Sequence, residues 1–394
     1  MSILRVAIVT PDYPPVTGGV SASCDRLSQN LARYGAHIHV FVPVFDPRAS
    51  RPEYSHTSSG NVEVTRISVA ASAHEDVHPW ALSGLGPMSQ LFLVLRQLLT
   101  AWQPDIVQSF TLFPFANLAG LVAHLLRRPF LVGVRGGDLT SNMFRPDLLA
   151  SLMLPLERAD VIVPVSSDLA ELAIALCPDA AKRIIVVSNG IDVDRPRPVR
   201  ANGGDQVRFG TACMFRPKKD LDILVSAYLR LRPENACELR LIGPLDERRF
   251  EAKYPNHSSL GITLIGSVTR VEVLDAISEL DVFVITSVFD GCANAMLEAM
   301  ALGIPVIASR VGGARDLIDH GRNGLLFEPL QLNELVSCMK KVLSPDTRSR
   351  LGSEGQTTVR TGDDEANAWF TVYQQAARRR QSREAGSHTM NGDG

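Results

Sequence analysis

The stretch DVFVITSVFDGCANAMLEAMALGIPVIAS, residues 281–309, decides the fold. It reads as strand, loop, helix, strand. Residues 281–286 form a short apolar strand, 287–294 a loop of small residues, 295–302 a helix stopped by Gly303, and 305–308 the next buried strand. Ligands of open α/β sheets bind outside the carboxyl ends of the strands, where this loop and the helix start lie. Asp290 and Glu298 stand at the two ends of the turn that enters the helix. Backbone N–H groups at a helix start suit a phosphate, and a carboxylate one turn further in suits a ribose diol.

The same alternation extends in both directions. Strands are predicted over 4–10, 37–42, 105–109, 130–134 and 161–165, with helices over 21–34, 117–126 and 148–159. Apolar strands of this kind imply a parallel sheet covered on both faces. A second series begins near Val207, with strands over 208–212, 238–242, 263–265, 282–285 and 306–308 and helices over 220–231, 270–280 and 295–302. Residues 192–205 hold two prolines and two glycines and read as a linker, while Gly84-Leu85-Gly86 follows no strand and reads as loop. The expected class is α/β, two doubly wound Rossmann-like domains over 1–195 and 196–365. A final helix over 366–380 carries Trp369, Phe370 and Tyr373, and the polar tail 381–394 is expected to be disordered.

Composition narrows the function. The chain has 394 residues, 45% apolar and 21% charged, with a net charge of −2, which argues against general nucleic-acid binding. The six cysteines lack disulfide-frame or zinc spacing and read as reduced thiols; among the nine histidines, only His74-Glu75-Asp76-Val77-His78 has HExxH spacing. There is no Gly-x-Ser-x-Gly elbow and no P-loop, so serine-hydrolase and P-loop readings lack support. No leader is read before Arg5 and no apolar run is long enough to span a bilayer, so the expected compartment is the cytoplasm.

Several motifs then converge on one family. Asp290-Gly-Cys-Ala-Asn-Ala-Met-Leu-Glu298-Ala-Met-Ala resembles the signature of the family 4 retaining glycosyltransferases: Glu, seven residues, Glu, on a helix reading Glu-Ala-Met-Ala. The second glutamate is present; the first is replaced by Asp290. The opening PDYPPVTGG with Gly18 and Gly19, followed by a helix and strand, is similar to the family's Pro-Pro-x-x-Gly-Gly start. Phe215-Arg216-Pro217-Lys218-Lys219 resembles the basic loop after the first strand of the second domain. Lys219 matches its lysine, whereas Met214 stands at its arginine, and Arg216 is close enough in sequence to substitute. Arg135-Gly136-Gly137-Asp138 falls where the family often has His-Gly-x-Asp. The Asp192-x-Asp194 pair could bind a metal-bridged nucleotide in another fold, but Asn189-Gly190-Ile191-Asp192 matches the segment that ends the family's first domain. Gly312-Gly313 and Asn323-Gly324-Leu325-Leu326 match segments read as structural.

The resemblance implies the glycosyltransferase B architecture, two such domains facing across a cleft. It implies transfer of a sugar from a nucleotide diphosphate sugar to an acceptor hydroxyl with retention. Glu298 would hold the ribose, and the backbone of Gly291, Asn294, Ala295 and Met296 with Lys219 and Arg216 the diphosphate. Asp290 would meet the donor sugar, Gly18 and Gly19 would let the first domain close on the donor, and Arg135 and Asp138 would lie on the acceptor side. No metal or other cofactor is expected. The acceptor is a sugar, a lipid-linked or a small-molecule hydroxyl compound. Arg127, Arg128 and Arg145 beside apolar helices are compatible with peripheral contact at the inner membrane face. The alternatives are a non-catalytic nucleotide-sugar-binding protein of the same fold and a nucleotide-sugar epimerase. A phosphorylase would need a pyridoxal-binding lysine motif that is absent.

Overall fold

The computed structural model describes residues 3–46, 52–70, 85–193 and 206–390. The chain divides into two compact units, Met1–Asn189 with Gly362–Gly394, and Gly190–Thr361. Most of the predicted linker, 194–205, lies outside the described residues.

Unit 1 is built on a seven-stranded sheet in the order β3-β4-β2-β1-β5-β6-β7. Its strands are β1 (Arg5–Val9), β2 (His37–Asp46), β3 (Glu53–Ser59), β4 (Val62–Ala70), β5 (Ile106–Ser109), β6 (Phe130–Val134) and β7 (Val161–Pro164). β5, β6 and β7 are buried at every residue, as strands sandwiched between helices must be. All pairings are parallel except β3 with β4. β3 is exposed throughout, so its sequence EYSHTSS carries no burial pattern; only the turn beside Gly60, at φ 59°, signals the hairpin. Helix Leu85–Trp102 includes Leu85 and Gly86, correcting the loop reading of that segment; Gly84 lies outside the described residues.

The last helix, Gly362–Met390, belongs to unit 1. Ala366, Trp369, Val372, Tyr373 and Ala376 form a stripe at helical spacing, buried in one core with Val6, Leu27 and Ile38. The Tyr373 hydroxyl donates to Gln108 Oε1 at 2.8 Å, and Arg26 pairs with the buried Glu365 at 3.4 Å. The helix runs on through 381–390, where a disordered tail was expected. That segment contains no proline to stop the helix. Residues 391–394 lie outside the described residues.

Unit 2 carries a six-stranded parallel sheet in the order β10-β9-β8-β11-β12-β13. The strands are β8 (Val207–Ala212), β9 (Cys237–Ile242), β10 (Ile262–Ile265), β11 (Val282–Ile285), β12 (Val306–Ser309) and β13 (Leu325–Phe327). Successive residues enter opposite cores: Phe209, Val284 and Ile307 on one face, Phe283, Ile285 and Ala308 on the other. From β8 the chain first builds outward to β9 and β10, then returns to place β11 on the other flank of β8. That reversal opens a crevice at the carboxyl ends of β8 and β11. Among the described residues, no helix is long and apolar enough to cross a membrane.

Candidate active site

Two loops meet at the unit 2 crevice. After β8 the chain passes Cys213 to Arg216, makes a single turn over Pro217–Lys219, and starts helix Leu221–Leu231. Asp220 caps that helix: its carboxylate accepts from the Ile223 N–H at 3.4 Å, and its backbone is left-handed at φ 42°, which aspartate tolerates better than most residues. After β11 comes Thr286 to Asp290. The Thr286 hydroxyl donates to the Lys219 carbonyl at 2.7 Å, and the Val288 N–H donates to the Lys218 carbonyl at 2.8 Å. Lys219 Nζ closes on Asp290 Oδ2 at 2.5 Å.

This ion pair is the electrostatic centre of the crevice. Both side chains are under one-fifth exposed, Lys219 at 17% and Asp290 at 18%. Ser287 Oγ donates to Asp290 Oδ2 at 3.1 Å and the Gly291 N–H to Oδ1 at 3.0 Å. Burial works against the carboxylate, but the charges of Lys219 and Lys218 and the Ser287 hydroxyl outweigh it and hold Asp290 below the usual carboxylate range. Asp290 is therefore ionised at neutral pH.

The loop that carries Asp290 is fixed from the β12 side. Ser309 Oγ donates to the Ser287 carbonyl at 2.5 Å. Gly312, at φ 51°, lies so close that a Cβ there would stand 2.3 Å from the Asp290 carbonyl oxygen and 2.4 Å from that of Gly291. The Gly313 N–H donates to the Gly291 carbonyl at 2.5 Å. Only glycine permits this approach.

Helix Asn294–Ala301 then leaves the crevice. Among the described residues, no side chain caps its start at Ala293 and no acidic residue stands in its first turn, so no carboxylate of that turn offsets its N-terminal field. Asn294 and Ala295 are half-buried and Met296 points into the core, so the backbone of this turn is what a ligand would meet. Glu298 is 6% exposed, a carboxylate on an otherwise apolar face, with Arg270 Nη2 at 3.5 Å from Oε1.

Of the predicted unit 2 residues, the structure brings Lys219, Asp290 and Gly291 together and puts the helix start beside them; Glu298 lies one turn along that helix, against Arg270. It does not bring Arg216: that side chain is exposed and its Nε lies 3.2 Å from Met214 Sδ. Thr286, Ser287 and Arg270 were not foreseen. Position at the end of β11 was a signal for the two hydroxyls; Arg270 carried none. Gly243, at φ 121°, was also missed. A Cβ there would stand 2.2 Å from the Cys213 carbonyl oxygen, so it sets the course of the β8 loop.

In unit 1, Gly18 precedes helix Gly19–Arg33 at φ 151°, with no atom of the described residues within 4 Å of the position a Cβ would take. Asp138 is a fastener: its carboxylate accepts from the N–H groups of Leu112 at 2.7 Å, Gly136 at 2.7 Å and Arg135 at 3.1 Å. Burial, the largest influence, raises its pKa against those bonds. Arg135 lies 4.4 Å over the Phe110 ring and donates to Asn189 Oδ1 at 2.5 Å, so the loops after β5 and β6 and the end of the unit are tied together.

Comparison with known proteins agrees with this geometry. The family model for glycosyl transferases group 1 matches residues 206–345, and that for Glycosyltransferase Family 4 matches residues 17–195. A glycogen synthase of Mycobacterium tuberculosis is 24% identical over 393 residues, covering 94% of this chain and 92% of its own. A GDP-mannose-dependent alpha-(1-6)-phosphatidylinositol monomannoside mannosyltransferase of the same organism is 26% identical over 388 residues, covering 90% and 93%. Among solved structures, the sucrose-phosphate synthase of Thermosynechococcus elongatus superposes with a TM-score of 0.71 at 20% identity, over 97% of this chain and 100% of that one. With two doubly wound units, a charged crevice at the second unit's switch point and family models over both halves, the chain belongs to the group 1, family 4 glycosyltransferases of B-type architecture and transfers a sugar from a nucleotide sugar donor.

Proposed function

We propose that the donor diphosphate is held between Lys219 and the start of helix Asn294–Ala301, and that transfer retains the anomeric configuration without a metal ion. The observation that carries this reading is the Lys219–Asp290 pair, fixed at 2.5 Å in the β8–β11 crevice next to an uncapped helix start. An ammonium has three N–H donors, and Asp290 takes one. The others remain to meet a leaving diphosphate, whose charge grows in the transition state. Asp290 stays ionised, aims Lys219, and accepts from a donor-sugar hydroxyl. Glu298, one turn along the same helix, accepts from the ribose hydroxyls. Arg216 is not required in this reading. The acceptor is a hydroxyl compound recognised by unit 1, at the loop that Asp138 and Arg135 shape.

A thermal-shift screen against UDP, GDP, ADP, CDP and TDP, with and without EDTA, tests the donor site. One diphosphate should raise Tm, with EDTA making no difference. No shift from any of the five would overturn the assignment, and a shift abolished by EDTA would overturn its metal independence. The anomeric configuration of the product, read by proton NMR, tests retention.

A further inference from the structure

Far along unit 1's sheet from these loops, one face of the β2, β3 and β4 edge gathers three histidines and a glutamate. In the strand register His39 lies opposite Glu63 and His56 opposite Thr65, so all four side chains share one face. Trp102, at the end of helix Leu85–Trp102, lies edge-on against His39, with ring centres 5.2 Å apart.

The hydrogen bonds orient these groups. The Thr65 hydroxyl lies 2.8 Å from His39 Nε2 and 3.2 Å from His56 Nδ1. A hydroxyl oxygen accepts two bonds, so Thr65 can take an N–H from each ring. The other nitrogen of each ring is then a bare lone pair, and both face the same oxygen: His39 Nδ1 is 3.8 Å from Glu63 Oε2 and His56 Nε2 is 3.5 Å from it. The second glutamate oxygen, Oε1, is occupied by the Trp102 indole N–H at 3.1 Å and His37 Nε2 at 2.7 Å. His39 is 6% exposed, yet its Nδ1 makes no hydrogen bond among the described residues. A buried polar atom without a partner is costly, and here it is aimed at a carboxylate between two imidazoles.

We propose that His39, His56 and Glu63 form a binding site for a divalent transition-metal ion of the zinc type. Two imidazole nitrogens and a carboxylate oxygen are a borderline donor set suited to such an ion. Metal–ligand bonds of about 2.0–2.1 Å in a tetrahedron put neighbouring ligand atoms roughly 3.4 Å apart. The three ligand atoms already lie within 4.8 Å of one another, and two of their separations are 3.5 and 3.8 Å. Thr65 and Trp102 supply the outer bonds that fix ring tautomers and the carboxylate. His56 is 46% exposed and gives the ion a way in from solvent. The ion would tie β3, the exposed antiparallel edge strand, to β4 and β2. It is separate from the donor site and takes no part in sugar transfer.

The test uses the full chain, stripped with EDTA and dialysed, then titrated with Zn2+ by calorimetry and with Co2+ by visible absorption. The expected result is one saturable equivalent of Zn2+, the ligand-field bands of tetrahedral Co2+, and a rise in Tm. His56→Ala and Glu63→Gln should each weaken binding by at least about tenfold. His124→Ala, which removes an exposed histidine of helix Ala116–Leu125, should leave it unchanged. His56 and its strand are exposed, so His56→Ala is expected to fold, and a melt of the metal-free variant checks this. No saturable equivalent in the wild type, or binding unaltered in both site variants, would overturn the proposal.

Discussion

Gly312→Ala removes no functional group, which makes it the sharpest test of the site. The new methyl group would enter a left-handed backbone, φ 51°, at a cost of about 1–2 kcal/mol. It would also stand 2.3 Å from the Asp290 carbonyl oxygen and 2.4 Å from that of Gly291, where ordinary contact begins at 3.4 Å. Subtracting 2.3 from 3.4, the loop must recede by about 1 Å. That movement breaks the Gly313–Gly291 bond and draws Asp290 away from Lys219, now 2.5 Å distant. A displacement of about 1 Å at a reacting site costs on the order of 100-fold in rate. Gly321→Ala is the control: φ is 86°, but no atom of the described residues lies within 4 Å of its Cβ position, so it carries backbone strain without the collision. The assay pairs thermal melts with initial rates of donor turnover. Gly321→Ala should lose a few degrees, at about 2–4 °C per kcal/mol, and keep near-normal kcat/KM. Gly312→Ala should lose more and drop kcat/KM about 100-fold. If the folded Gly312→Ala protein turns over donor within about threefold of the control, the claim that this contact sets the site is wrong.

Three other variants test separate observations. Lys219→Met should lower kcat by about 100-fold, with a smaller effect on donor KM, because the charge it meets grows in the transition state; a defect confined to KM would contradict that role. The same variant has a pH signature. Asp290 is held below its ordinary value in the folded chain, so the stabilisation from this pair is fully present above the unfolded carboxylate pKa of about 3.9 and is lost as pH falls through the lower folded value. The stability gap between wild type and Lys219→Met should therefore be full at pH 7 and close in acid below about pH 4; a gap of constant size would show that the pair is not its source. Glu298→Ala should raise donor KM about 10- to 100-fold, as loss of hydrogen bonds to a charged group implies, and should abolish the diphosphate-induced rise in Tm; an unchanged kcat/KM removes Glu298 from the site. Trp369→Ala should cost about 3–5 kcal/mol in a denaturant melt, since the indole is fully buried in the unit 1 core; a cost under about 1 kcal/mol would mean that the last helix is not integral to that unit.

Most strands of both sheets could be read from the chain alone because they are local, although β4 and β13 were not among those read. Residues 282–285 and 306–308 are unbroken apolar runs, and the helix between them ends where Gly303 takes a left-handed turn, φ 70°. Each feature needs only a few neighbouring residues, so periodicity and punctuation suffice. The signature helix with Glu298 was legible for the same reason. Strand β3 was not, because an edge strand exposed on every residue has no pattern to detect.

What remained belongs to pairings between distant segments. Lys219 and Asp290 are 71 residues apart and meet only because β11 returns to the flank of β8. Arg216, three residues from Lys219, looked equally suited to a phosphate, yet the turn at Pro217–Lys219 sends it outward to Met214. Asp138, chosen as an acceptor-side residue, binds three backbone N–H groups, one of them 26 positions away at Leu112. His39, His56 and Glu63 have no motif spacing; strand register alone puts them on one face. Local sequence sets which elements form, because helices and buried strands are decided by nearest neighbours. Which side chains then face one another is settled by non-local strand order and by the few glycines that let two backbones touch.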